Sequence, residues 1–160
     1  MRRVSTVRSR SVKQEDVLAQ KLNAYPVAGS GSNPFRKGDI RNATFLAEVK
    51  YTDKPFYILR ISTWDKIRKE ATADGLRIPI MLVDLNYETP EQTTLAIVDA
   101  NLLDAHIIKA YPARFSFATT NSSVRVSADK VPSYVTFEGK SKTRLFIGEL
   151  RRMIDFIDRV

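Results

Sequence analysis

The eight residues "IPIMLVDL" at 78–85 constrain this chain more than any other stretch. Nearly all are apolar, so a strand built from them has no side that tolerates water. Such a strand has to be covered on both faces, which calls for a sheet with packed layers above and below.

The segments around it supply those layers. Val12, Val17, Leu18 and Leu22 recur at helical spacing and predict a helix over 12–23, with Ser11 as its cap. "AYPVAGSGSNPFRKGD" carries two prolines and three glycines and reads as a loop, with a short strand around Val27. Ile40 opens a strand, "RNAT" reads as a turn, and "FLAEVKYT" and "FYILRI" read as further strands. Thr63 is placed to cap the helix "WDKIRKEATADG", whose apolar stripe is Trp64, Ile67 and Ala71 and whose stop is Gly75. The order to Leu85 is helix, three strands, helix, strand, an α/β core with a mixed central sheet.

Beyond Leu85 the expectations are a strand at "TTLAIVDA", a helix at "ANLLDAHIIKAY", and strands at "RFSFAT", "SVRVSA" and "SYVTFEG". Phe115 and Phe117 share one strand face and are expected to fill the sheet. The final stretch "TRLFIGELRRMIDFIDRV" has Leu145, Phe146, Leu150, Met153, Ile154 and Ile157 at helical spacing and predicts one long helix. The chain thus divides into a flexible basic arm (1–11), a core (12–88) and a C-terminal α+β extension packed on that core (89–160).

Charge narrows the partner. Through Arg41 there are nine bases against three acids, so +6 of the net +8 lies in the first quarter. A basic end of that kind suits a polyanion, with phosphate neutralisation and counterion release as the driving force. Arg2, Arg3, Arg8, Arg10, Arg36, Lys37 and Arg41 are the candidate phosphate contacts, and the small residues and hydroxyls of "AGSGS", with Ser30 and Ser32, let a backbone come close to phosphate. No apolar run approaches the roughly 18 residues of a membrane span. The N-terminus has no apolar leader segment, so a cytoplasmic protein is expected. Cysteine is absent and His106 is the single histidine, which excludes thiolate zinc sites and histidine-rich nuclease chemistry. His106 itself reads as a packed or surface residue.

The chemistry-bearing residues sit in "RKGDIRNATFLAEVKYT" at 36–52. Glu48 and Lys50 are two apart in a strand and project from the same face. Asp39 lies nine positions before Glu48, a spacing that suits two antiparallel segments joined by a turn. Two carboxylates brought that close repel unless a cation is shared between them. Oxygen ligands with open positions suit Mg²⁺, with Mn²⁺ as a substitute, and the Val49 carbonyl is a further candidate ligand. A metal held there activates water and polarises a phosphodiester. Lys50, on the same face, orients or deprotonates that water and neutralises the transition state.

The ordered set of an acid-bearing first helix, "AGSGS", "RKGDI", "FLAEVKYT", a strand, the helix "TWDKIRKEA" and "IPIMLVDL" resembles the PD-(D/E)XK nuclease superfamily. Within it the chain is most similar to archaeal-type Holliday junction resolvases and their bacteriophage relatives. The resemblance spans residues 12–86. It implies a restriction-endonuclease-like core, a Mg²⁺ site in which Glu15 joins Asp39, Glu48 and Lys50, and a role there for Ser30 or Ser32. It also implies a homodimer acting on four-way DNA junctions, and a host cytoplasm if the protein is viral. Two features depart from the pattern. Gly38 replaces the proline usual before the first acid, and Asp16 competes with Glu15 as the first-helix ligand. The alternatives are a nicking or restriction-like endonuclease of replication or repair, and a non-catalytic DNA-binding protein that keeps the fold.

Overall fold

A computed structural model describes residues 7–27, 39–139 and 142–159, with side chains from Val12 to Ile157 within those ranges. The elements are α1 (Val7–Lys21), β1 (Tyr25–Pro26), β2 (Ile40–Arg41), β3 (Phe45–Tyr51), β4 (Phe56–Arg60), α2 (Ile61–Ala73), β5 (Ile78–Leu85) and β6 (Thr93–Asp99). They continue with α3 (Ala105–Ala110), β7 (Phe115–Thr119), β8 (Ser123–Ser127), β9 (Ser133–Glu138), β10 (Lys142–Glu149) and α4 (Leu150–Arg159).

Eight strands form one mixed sheet in the order β1-β2-β3-β5-β6-β10-β9-β7. The β3–β5 and β7–β9 pairs are parallel and the others antiparallel. The apolar run at 78–85 is β5, near the middle, buried from Ile80 to Leu85. As its composition demands, both its faces are covered. Ile80 and Leu82 pack with Leu18 and Leu22 of α1 and with Leu150, Met153 and Ile157 of α4. Met81, Val83 and Leu85 pack with Trp64 and Ile67 of α2, Leu59 of β4 and Val126 of β8. The α/β class with a mixed central sheet is therefore correct, and strands from the second half of the chain extend the same sheet.

Several elements differ from expectation, each for a local reason. The first helix begins at Val7 and ends at Lys21, so Ser11 is inside it rather than capping it. Arginine, lysine and glutamine are good helix formers, and their propensity carries the helix beyond its apolar stripe. The second helix begins at Ile61, with Arg60 as the capping residue and no side-chain cap, so Thr63 already lies in the first turn. Its end is as expected: Gly75 has φ of +82°, the left-handed conformation that stops a helix.

β4 does not join the main sheet. It pairs antiparallel with β8 in a separate two-stranded ribbon, whose Leu59 and Val126 pack on the α2 side of the main sheet. The expected helix at 100–111 breaks in two. Asp99 caps a short 3₁₀ turn by accepting the Asn101 N–H at 2.9 Å, and Asp104 caps α3 by accepting the Ile107 N–H at 3.0 Å. His106 is exposed on α3.

The last stretch is a strand followed by a helix. Leu145 and Ile147 face the α2 side while Phe146 faces α1 and α4, a period of two that a helix cannot serve. Gly148 allows α4 to fold back at that point. A Cβ there would lie 2.7 Å from Tyr111 Cε1 and 2.8 Å from Met153 Sδ.

Gly148→Ala should therefore overpack the face under α4 and destabilise the protein by about 1–3 kcal/mol. In thermal unfolding that is a drop in Tm of at least roughly 2 °C. An unchanged Tm would mean that α4 does not sit tightly on β10.

Candidate active site

The site begins where β2 stops. β2 pairs with β3 only through Ile40–Ala47 and Arg41–Leu46, so beyond Ala47 that edge of β3 has no strand beside it. Asp39 occupies the gap. Its N–H donates to the Ala47 carbonyl at 2.9 Å and its carbonyl accepts the Val27 N–H at 2.8 Å. With its main chain fixed on both sides, its Oδ2 accepts the Val49 N–H at 2.7 Å. A carboxylate thus takes the place of the next ladder carbonyl. In a ladder the N–H and C=O of one residue point to the same side, so the Val49 carbonyl also faces this edge.

Glu48 and Lys50 flank Val49 and project from the opposite face to its side chain, as their spacing predicts. In register they lie beside Met81 and Val83, on the α2 side of the sheet. Glu48 Oε1 is 3.0 Å from Lys50 Nζ. Burial pushes the Lys50 amine down, but the charge and hydrogen bond of Glu48, with Tyr57 and Asp39 adding to them, together carry it above the ordinary lysine value. Tyr57 of β4 lies close enough to feel Lys50 and Glu48, and burial pushes its phenol up. Lys50 and Tyr57 are consequently protonated at neutral pH.

Glu15 comes from α1, on the other side of the sheet, and reaches the field of the same acids. Its carboxyl is pushed up to about 7, first by burial, then by Asp39 and Glu48, and then by Asp16. Of the two first-helix acids, Glu15 is the half-buried one and Asp16 is exposed. The helix is held in place by its neighbour Gln14, which is 4 % exposed. Gln14 Nε2 donates to the Lys50 carbonyl at 3.1 Å and to Asp84 Oδ2 at 2.8 Å. Asp84 is 2 % exposed, and its Oδ1 accepts the Thr94 hydroxyl at 2.5 Å. Burial raises the Asp84 carboxyl, and the Thr94 and Gln14 bonds oppose that rise. Gln14, Asp84 and Thr94 were not legible as site residues. The one sign in the sequence is a lone acid inside the apolar run of β5, which a buried strand tolerates only with hydrogen-bond partners.

Asp39, Glu48 and Lys50 are thus gathered on one strand edge, and Glu15 is electrostatically coupled to them. As the side chains stand, no three His, Asp or Glu among the described residues converge closely enough to grip a metal ion. The donor chemistry nonetheless fits a hard cation. All the candidate ligands are oxygens, and the repulsion by Asp39 and Glu48 that adds to the effect of burial on Glu15 is what a shared cation removes.

Of the expected phosphate contacts, Arg2, Arg3, Ser30, Ser32, Arg36 and Lys37 lie outside the described residues, and Arg8 and Arg10 are described only as backbone of α1. Arg41 turns inward: its Nη1 bonds both Asp74 carboxylate oxygens, at 3.0 and 3.2 Å, tying β2 to the end of α2. Trp64 is fully buried in the core under α2. No helix among the described residues is long and apolar enough to cross a membrane.

No family model and no curated protein matches the chain. Among solved structures it is similar to Hjc of Archaeoglobus fulgidus, a Holliday junction resolvase from an archaeal hyperthermophile determined at 1.6 Å resolution. The likeness covers 75% of this chain and 89% of that one, with 20% identity and a TM-score of 0.46.

The Glu15 shift has a signed consequence for stability. A carboxyl whose pKa is raised from 4.5 to about 7 binds its proton more tightly when folded. The contribution of Glu15 to the stability of the metal-free protein is therefore most favourable below the unfolded value and is lost as pH rises to about 7. Glu15→Gln removes the charge and that loss. Because Glu15 is partly exposed, the gain near pH 8 is discounted to about 1 kcal/mol, or roughly 2–4 °C in Tm. The two proteins should melt together near pH ~4, where Glu15 is protonated in both states. An equal gain at both pH values would remove charge repulsion as its source.

Proposed function

We propose that this protein is a divalent-metal-dependent endonuclease that hydrolyses phosphodiester bonds in branched DNA. The observation that carries the reading is the placing of Asp39, pinned by the Val49 N–H at 2.7 Å, beside Glu48 and its Lys50 partner at 3.0 Å, with Glu15 of α1 in the field of both acids. A fold that fixes Gln14 and Asp39 by buried and backbone hydrogen bonds, and so keeps like charges together, is built for a cation to join them.

Glu15, Asp39, Glu48 and the Val49 carbonyl would hold Mg²⁺, with Mn²⁺ able to replace it. The ion, when bound, lowers the pKa of a water and polarises the phosphoryl oxygen. The protein's own residues do the rest. Lys50, protonated beside Glu48, neutralises charge that grows on the phosphoryl group and orients the attacking water by donating to it. Asp39, pinned by the Val49 amide, keeps one carboxylate from swinging away when substrate arrives. Tyr57, neutral and beside Lys50, offers a second donor toward the same group.

Branched DNA as the substrate is supported by the ordered motifs from the first helix to β5, which resemble junction resolvases. The basic N-terminal stretch supplies sequence-independent phosphate contacts. Two copies of the chain would set two sites on opposite strands of a four-way junction, in the cytoplasm of the organism or of a viral host.

The test is cleavage of a labelled four-way junction, a matched linear duplex and a flap, in Mg²⁺ and in EDTA, beside Glu48→Ala. The expected result is paired symmetric cuts in the junction, lost in EDTA and reduced at least about a hundredfold in the variant. Cutting of linear duplex at a fixed sequence would point to a restriction-like enzyme instead. Tight junction binding with no metal-dependent product would sink the enzymatic reading.

A further inference from the structure

β7 is the outermost strand of the main sheet, and it carries two aromatic side chains where such an edge is usually charged. The rings of Phe115 and Phe117 are nearly parallel, 10° apart in plane with centroids 6.3 Å apart. Phe117 does not fill the sheet, as the spacing had suggested, because it is 39 % exposed, whereas Phe115 is half-buried. Arg114 and Lys130 stand over the Phe115 ring at 5.9 and 5.3 Å.

The register places this pair on the same sheet face as Glu48 and Lys50. Phe117 lies opposite Val135, Val135 opposite Leu145, and the strands between carry the same side through Ile97 and Met81 to Glu48. Five strand spacings separate β7 from β3, roughly 24 Å at ~4.8 Å each. The β4–β8 ribbon covers the interval, with Tyr57 beside Lys50 at one end and the segment leading from β8 to Lys130 at the other. Tyr57 and Leu59 point inward, so Phe56 points out. Arg125 stacks over it at 4.0 Å and Lys54 stands at 5.5 Å. Asp129, exposed next to Lys130, accepts the Ser127 hydroxyl at 2.6 Å.

We propose that this aromatic and cationic track, running from Phe56 on the ribbon to Phe117 on the edge strand, binds unpaired single-stranded DNA. Phe117 offers a nucleobase an exposed, sequence-tolerant stacking surface, the half-buried Phe115 and Phe56 rings carry the apolar track on either side of it, and the cations beside these rings follow the phosphates. Duplex DNA, whose bases are already stacked, gains only the electrostatic part. A partner protein with an acidic surface would use the cations but has no need of the exposed Phe117 ring beside them. The proposal concerns a surface apart from the carboxylates and does not require that they cleave anything.

The test is fluorescence anisotropy in EDTA with a labelled oligo-dT of about 12 nucleotides, a fully paired hairpin and an RNA of the same length. Phe117→Ala should weaken oligo-dT binding by roughly five- to a hundredfold, and Phe117→Trp should restore it. Hairpin binding should be unchanged. Lys130→Ala should lower the slope of log affinity against log salt by about 0.7 for the single strand. Equal weakening on hairpin and single strand would overturn the proposal, as would oligo-dT binding that ignores Phe117. Phe117→Ala that dissociates a dimer while leaving oligo-dT affinity intact would make β7 a contact between copies. Tighter binding of the RNA than of oligo-dT would overturn the assignment to DNA. Because EDTA withholds the ion that the proposed cleavage needs, and binding alone is read, these outcomes are independent of whether the junction is cut.

Discussion

The second strand is only two residues long, and the first β3 amide past its end is satisfied by a carboxylate. The Asp39–Val49 bond at 2.7 Å closes the edge of β3 without a strand. Had β2 continued, a backbone carbonyl would stand there and no side chain could enter. The short strand thus creates an opening beside Glu48 and Lys50, and the same bond fixes the first acid at that opening.

On the far side of the sheet the buried Gln14–Asp84–Thr94 network performs the matching task. Gln14 spans from α1 to β5 and to the Lys50 carbonyl of β3, so helix and site strand share one hydrogen-bonded unit. An unpartnered Asp84 in that position would be costly, so the helix cannot shift without breaking the network. Glu15, the next residue, is consequently held where Asp39 and Glu48 repel it. The fold tolerates that repulsion because each acid is fixed by a different anchor: Asp39 by the backbone, Glu48 by Lys50, and Glu15 by its neighbour.

How much of this was legible follows from which residues act through their neighbours in sequence. β5 announced itself because eight consecutive residues admit no wet face, and Glu48 and Lys50 shared a face because strand alternation is rigid. The ribbon of β4 and β8 was invisible, since a strand's own sequence does not say which distant strand it pairs with, and Phe56 to Arg60 pair with Ser123 to Ser127. The C-terminal stretch misled because Leu145, Phe146, Leu150 and Met153 satisfy a helical period while Leu145 to Ile147 also satisfy a strand that is buried on both faces. Gln14 carries no signal of its own, because its role depends on Asp84, seventy positions away. The arginines and serines before Asp39, apart from the backbone of Arg8 and Arg10, fall outside the described residues, and their expected phosphate contacts stay as a reading of charge.

The central claim is that acids from α1, from the residue before β2 and from β3 share one cation. Titration of the protein with Mn²⁺, followed by electron paramagnetic resonance of the free ion, measures this without any nucleic acid. The account predicts a saturable site in the unsubstituted protein that is weakened at least about tenfold in Asp39→Asn and likewise in Glu15→Gln, since each removes one charge from the same ion. Undiminished Mn²⁺ binding in both variants would contradict it.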